Sequence, residues 1–221
     1  QEGERDDQEI SRRVPRTVHN IAVKILDRLS IRIKKNWVPR DAEGEVHHNI
    51  ILEELNFSQG HWMLLARTNK LLNNISEHFY SLGVRFSGKT NKNLPNDILE
   101  VYQIWTRLNH GAVISAEEAE KIYKYLVVKK GHVARGYSDG KSVQRETSID
   151  LQKLKNNHGL LIEGDWRQLH FPEETKEYMQ TLLERGDDLM TKPKIQLLTL
   201  HGSKGKECEN VCLFTDYGIE G

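Results

Sequence analysis

The chain is poor in cysteine, has no apolar run long enough to cross a bilayer, and carries no net charge. Two cysteines in 221 residues, Cys208 and Cys212, exclude a disulfide framework, and their spacing suits no common zinc site. Cys212 lies in an apolar, strand-like run, where a buried free thiol is expected. No apolar stretch approaches the ~20 residues of a membrane helix. The N-terminal Gln1-Glu2-Gly3-Glu4-Arg5-Asp6-Asp7 is charged and holds no signal-peptide core. A cytoplasmic protein with no membrane partner is the expectation. Lys and Arg number 32 and so do Asp and Glu, so any attraction for phosphate must come from local clusters. The P-loop pattern Gly-x-x-x-x-Gly-Lys-Ser/Thr is missing, and with it a primary nucleotide cradle. What is present, 37% hydrophobic and 29% charged residues, is the composition of a globular protein with one large domain or two small ones.

Pro15 suits the first turn of a helix, and Val18, Ile21, Ala22, Ile25, Leu26 and Leu29 then recur at helical spacing. The basic run Arg32-Ile33-Lys34-Lys35 predicts the end of that helix. Trp62–Ala66 has the length of a buried strand, Lys70–Leu82 reads as a helix stopped by Gly83, and Val84-Arg85-Phe86 as the next strand. Strand, helix and strand in this order predict a parallel sheet. The texture changes near Lys89. Ile98, Val101, Tyr102, Trp105 and Leu108 form a helical stripe, Ser115-Ala116-Glu117-Glu118 a capping box, and Pro172 opens a helix that Gly186 can close. Residues 129–158 read as looser, and the whole block as a helical insertion. Beyond Pro193, Ile195–Thr199 and Val211–Phe214 return as strand candidates.

The loop between those two strands carries the most chemistry. Gly202 and Gly205 let the backbone approach a ligand and expose N–H groups to an anion. Lys204 and Lys206 add positive charge, while Thr199, His201 and Ser203 offer neutral hydrogen bonds. Open α/β sheets place ligands at such a position, beyond the C-terminal end of a strand. Composition alone leaves an ordinary surface turn as an equal alternative.

In register, Thr199-Leu200-His201-Gly202-Ser203-Lys204-Gly205-Lys206-Glu207 with Asn210-Val211 resembles motif V of UvrD/Rep-type superfamily 1 helicases. Leu64-Leu65-Ala66-Arg67-Thr68-Asn69, a helix, and Gly83-Val84-Arg85-Phe86 resemble that family's strand, Arg-Thr-Asn, helix and Gly-Ile-Pro-Tyr segment. Ser11-Arg12-Arg13-Val14-Pro15, with Val18 and His19, resembles motif IV. The resemblance implies an α/β fold: an incomplete, parallel-sheet RecA-like motor domain interrupted by a helical insertion. Residues 1–88 would be the first part of the second RecA-like domain, 89–190 the insertion and 191–221 the return. It implies ATP-dependent translocation on single-stranded DNA, 3′ to 5′, with a single-strand/duplex junction as partner. The first RecA-like domain of the same protein would be the other partner and would hold most of the ATP and Mg2+. Arg13 would then be the catalytic arginine at the γ-phosphate, with Arg12 as the neighbouring register, because Ile10-Ser11-Arg12 stands where the family has Gln and an aromatic residue. Gly205 and Lys204 would meet the phosphates and Glu207 the sugar, while Thr199, His201, Arg67 and Thr68 would hold the DNA backbone. Walker A, Walker B and motif VI are expected elsewhere in the full protein, so the chain alone is expected to be inactive. A non-catalytic nucleic-acid-binding module and the helicase part of a helicase–nuclease are the alternatives.

Two other segments were open to a site. Lys129–Tyr137, with Lys141 and Arg145, either clasps DNA through phosphates and stacking or is a solvated loop, the latter favoured. His47-His48 has no cysteine or acid pair at ligand spacing, so a metal site there is not expected.

Overall fold

The computed structural model describes Ser11, residues 13–31 and residues 37–215, which form parts of two compact units, 1–59 and 60–221. Ile10, Arg12 and the basic run Arg32–Lys35 lie outside the described residues.

The first unit is built on helix α1, Arg16–Leu26, with Pro15 as its N-cap. Proline fits there because its missing N–H is not needed in the first turn. The helix ends at Leu26, short of the basic run expected to close it. Asp27, Arg28 and Leu29 continue only as turns, with Arg28 N–H donating to Ile25 O and Leu29 N–H to Leu26 O. No α1 residue is fully buried, and Ile25 and Leu29 are more than half exposed, so packing does not prolong the helix. An extended segment returns along its start: Ser11 N–H donates to Val38 O, Arg40 N–H to Val14 O, and Arg16 N–H to Ala42 O. The His19 ring meets Trp37 edge-on at 4.2 Å and bonds Trp37 O through Nε2.

The second unit contains a four-stranded, all-parallel sheet in the order β2-β3-β1-β4. The strands are β1, Trp62–Ala66; β2, Phe86–Gly88; β3, Ile195–Thr199; and β4, Asn210–Leu213. The parallel α/β class is therefore as expected, but β1 and β2 are not neighbours, because β3 lies between them. Helix α2, Asn69–Ser81, buries Leu72, Ile75 and Phe79, and Phe79 meets Phe86 at 6.0 Å. That contact and the register place α2 over the face carrying Leu64, Ile195 and Leu197. Burial of each such leucine contributes about 1.5–3 kcal/mol. The opposite face carries Leu65 and Leu198, half-buried, and Val211 and Leu213, about half exposed. Gly88 is fixed by packing, since a Cβ there would lie 2.6 Å from Leu197 O.

Strand β2 starts two residues later than the sequence predicts, because Val84 and Arg85 have other tasks. Val84 N–H donates to Phe79 O and closes α2. The buried Arg85 guanidinium donates to three carbonyls, those of Asp188, Leu189 and Thr191, and so fixes the chain entering β3. Burial lowers its pKa from the ordinary arginine value, while Asp187 and Asp188 act in the opposite sense.

Between β2 and β3 the chain forms helices and turns with two isolated antiparallel bridges, Ile114 to Ile149 and Val133 to Leu160. The helices are α3, Asn96–Asn109; α4, Ala116–Tyr123; α5, Leu151–Asn157; and α6, Glu173–Glu184. The predicted stripe of α3 is buried, with Trp105 and Leu108 at 0% exposure, and Trp105 Nε1 donates to Gly164 O at 2.8 Å. The capping box forms as read: Ser115 Oγ accepts from Glu118 N–H, and Glu118 Oε2 accepts from Ser115 N–H at 2.9 Å. Helix α5 lies within the segment read as loose, with Asp150 as its cap. Tyr178 of α6 stacks on Tyr80 of α2 at 4.1 Å and donates to Val84 O, joining this block to the sheet's helix.

Candidate nucleic-acid interface

In a parallel sheet every strand ends at the same edge, and here that edge collects most of the expected site. Ala66, the last residue of β1, pairs with Thr199, the last of β3, and Leu200 N–H donates to Ala66 O at 2.9 Å. The turn Arg67-Thr68 and the loop starting at Leu200 therefore leave adjacent strands side by side. Arg67 and His201 are both exposed there. Thr68 has a structural duty: its extended backbone makes it the N-cap of α2, and its Oγ1 accepts from Leu71 N–H at 3.4 Å. The hydroxyl proton of Thr68 remains for an outside acceptor.

The loop after β3 is bonded to itself. Thr199 Oγ1 accepts from Gly202 N–H at 3.0 Å, and Thr199 O accepts from Ser203 N–H at 3.0 Å. Ser203 Oγ donates to Leu200 O at 2.9 Å, and Lys206 N–H to Ser203 O at 3.0 Å. The expectation that both glycines expose their N–H groups is therefore half right. Gly202 turns its N–H onto Thr199, and a Cβ there would lie 3.1 Å from Thr199 Oγ1. Gly205 adopts a left-handed φ of +79°, and its N–H has no partner among the described residues. Ser203 has spent its hydroxyl proton, so Thr199 is the hydroxyl able to donate to an anion. With His201 and the exposed ammonium groups of Lys204 and Lys206, the turn offers donors on a short, stiff frame.

Because β4 is parallel to β3, residues 206–209 must carry the chain back to the opposite edge. Glu209 reaches it, where its Oε2 accepts from His61 N–H at 2.9 Å. Glu207 is exposed near the start of this return limb, two residues beyond Gly205. Cys208 and Cys212 are free, and Cys212 is half-buried rather than buried, with its thiol pKa pushed up by burial.

Arg13 belongs to the first unit. It is exposed, three residues ahead of α1, on a stretch shaped by Ser11, whose Oγ accepts from Arg13 N–H at 3.4 Å and Val14 N–H at 3.1 Å.

The segment 129–145 is not a plain solvated loop. His132 and Val133 are buried, Val128–Lys130 and Lys141–Val143 form 3-10 turns, and Lys141 pairs with Asp139 at 3.1 Å. His47 bonds the neighbouring Glu45 at 3.3 Å. Sequence reading passed over Arg85, whose only signal is a charged residue inside an otherwise apolar strand-like triplet. Among the described residues no helix is long and apolar enough to cross a membrane. Comparison of the chain with family models, curated proteins and solved structures returns no match.

Proposed function

We propose that the chain is part of an ATP-dependent, UvrD/Rep-type translocase that moves on single-stranded DNA, 3′ to 5′, in the cytoplasm. In this reading the parallel sheet is the second RecA-like motor domain and residues 89–190 are its helical insertion. The observation that carries the reading is the register of Ala66 with Thr199, which sets two separately recognised sequence patterns side by side at one sheet edge. Arg67, Thr68, Thr199 and His201 are donors suited to phosphodiester oxygens, and such contacts hold a strand without reading its sequence. A motor that must pass any sequence needs that property.

The donor set of the turn also fits ATP phosphates. The Gly205 N–H, which has no partner among the described residues, and the Lys204 ammonium are suited to oxyanions, with Glu207 on the return limb for a sugar hydroxyl. No group of three or more His, Cys, Asp or Glu side chains among the described residues is placed to hold a metal ion. In this reading the first RecA-like domain supplies the Mg2+ ligands. ATP held between the two motor domains would draw them closed and would supply the phosphoryl group to be transferred. Arg13 stabilises charge at the γ-phosphate only when those domains are closed. The donors of Arg67, Thr68, Thr199 and His201 keep hold of the strand while the domains shift.

Two experiments test this reading. Fluorescence anisotropy with a labelled single strand should show weak, salt-sensitive binding that falls about tenfold in an Arg67→Ala/His201→Ala double variant, equivalent to ~1.4 kcal/mol. In an enzyme holding both motor domains, Arg13→Ala should lower DNA-stimulated ATP hydrolysis by about three orders of magnitude with strand binding retained. Unchanged binding in the first experiment removes the edge from the interface, and an unchanged rate in the second removes Arg13.

A further inference from the structure

We infer that the helical block between β2 and β3 is not a swivelling appendage: it is locked to α2, so that it moves as one body with the sheet and with the Arg67-Thr68 turn. A block inserted through two chain crossings is ordinarily expected to move against its host. Such motion needs crossings that are free to absorb backbone rotation. Both crossings are tied down here.

The outgoing crossing, residues 89–95, is bound to α2 at Asn91. Asn91 N–H donates to Asn73 Oδ1 at 3.2 Å, and Asn91 Nδ2 donates to Glu77 Oε1 at 2.9 Å. The buried Ser76 Oγ shares its proton between Asn73 O at 2.8 Å and Asn91 Oδ1 at 3.1 Å. The return crossing, residues 185–194, is held by the Arg85 guanidinium through the carbonyls of Asp188, Leu189 and Thr191. Gln103 of α3 adds a bond from Nε2 to Leu189 O at 3.3 Å.

Between the crossings, α6 closes on the end of α2. The Tyr80 ring packs against the core of the block and stacks on Tyr178. Tyr80 OH donates to Glu174 O at 2.8 Å, and Tyr178 OH to Val84 O at 2.8 Å. The Arg185 guanidinium donates to Leu82 O at the C-cap of α2, where a cation also suits the helix dipole. The two helices approach so closely that a Cβ on Gly83 would lie 2.5 Å from Thr181 Cγ2. At about 1.5 Å per residue the 13-residue α2 is a strut roughly 20 Å long. Its start at Thr68 lies beside the exposed Arg67, its middle is pressed on the sheet, and its end carries the block. Where the translocase reading holds, closure of the motor domains carries the block along with the strand-holding turn. The one-body inference does not need that reading, and its test uses the free chain.

Double electron–electron resonance on the full chain, with Cys208→Ser and Cys212→Ser as background, tests it. One spin-label pair spans the joint, at Asn74→Cys on α2 and Gln152→Cys on α5. A control pair, Lys124→Cys and Gln152→Cys, lies within the block, and all three positions are exposed. The spanning pair should give a single distance population about as narrow as that of the control. A Tyr80→Ala/Asn91→Ala/Arg185→Ala variant removes ties at three exposed or half-buried positions, and circular dichroism together with a narrow control pair verifies that it is folded. In that variant the spanning distribution should broaden about twofold or more. A broad or two-population spanning distance in the unaltered joint, beside a narrow control, overturns the inference. So does an unbroadened distribution in the triple variant.

Discussion

Replacing Thr199 by valine separates the turn's architecture from its capacity to bind. The two side chains have nearly the same shape, so β3 keeps its packing, but the oxygen that accepts Gly202 N–H at 3.0 Å is lost. The turn is exposed, water can take over Gly202 N–H, and the stability cost should be small, about 0.5–1.5 kcal/mol. The effect on strand binding should be larger. Ser203 has already spent its hydroxyl proton on Leu200 O, so Thr199 is the turn's one hydroxyl donor for a phosphodiester oxygen. A hydrogen bond to a charged group contributes about 1.5–3 kcal/mol, equivalent to roughly ten- to a hundredfold in Kd. Thr199→Ser keeps both functions and should bind within about twofold of the native chain. Gly202→Ala supplies the complementary case, because its Cβ would crowd Thr199 Oγ1 at 3.1 Å and strain the turn while leaving the donor in place. Urea denaturation measures the stability cost and anisotropy with a labelled single strand measures binding. Equal binding by Thr199→Val and Thr199→Ser would refute the reasoning.

Further predictions concern the frame. Arg85→Ala leaves two or more buried or half-buried carbonyls without their charged donor and should cost about 2–4 kcal/mol by urea denaturation; a loss under ~0.5 kcal/mol would show that the clamp holds nothing. Trp105→Ala opens a cavity at a residue of 0% exposure and orphans Gly164 O, so it should cost about 3–5 kcal/mol, with loss of near-ultraviolet dichroism; a fully cooperative, native-like transition at unchanged midpoint contradicts this. The Glu118 carboxylate is held below the ordinary glutamate range, first by the backbone N–H of Ser115 and then by Arg107. Its folded pKa is depressed, so its contribution is complete above the ordinary value of about 4.3 and is lost as pH falls through the folded value. Ser115→Ala should cost about 1 kcal/mol, and Glu118→Gln should flatten the stability profile below pH ~4.3; the same acid slope in Glu118→Gln would count against the assignment.

The strands at the site edge were legible because their signals are local. Trp62–Ala66 and Ile195–Thr199 are short apolar runs bounded by polar residues, and both form with the ends read from sequence. The capping box at Ser115 and the helix starts at Pro15 and Pro172 are likewise settled by residues within one turn. Features set by distant partners were not legible. The insertion of β3 between β1 and β2 follows from long-range pairing that no periodicity encodes. The late start of β2 follows from Arg85 reaching residues about a hundred positions away. Gly202 and Gly205 look alike in sequence, yet one N–H is spent on Thr199 and the other has no partner among the described residues, a difference decided by the fold of the turn. Composition marks segment 129–145 as basic and loose; the burial of His132 and Val133 depends on the helical core that encloses them.

The most direct measurement is an amide proton–nitrogen NMR titration of the chain with a single-stranded oligonucleotide. The account predicts saturable, salt-sensitive shifts at Arg67, Thr68, His201 and Gly205, with Trp62, Ile195 and Asn210 at the opposite sheet edge unmoved. Shifts confined to that opposite edge, or none at the β1 and β3 carboxyl ends at strand concentrations that saturate the chain, would contradict it.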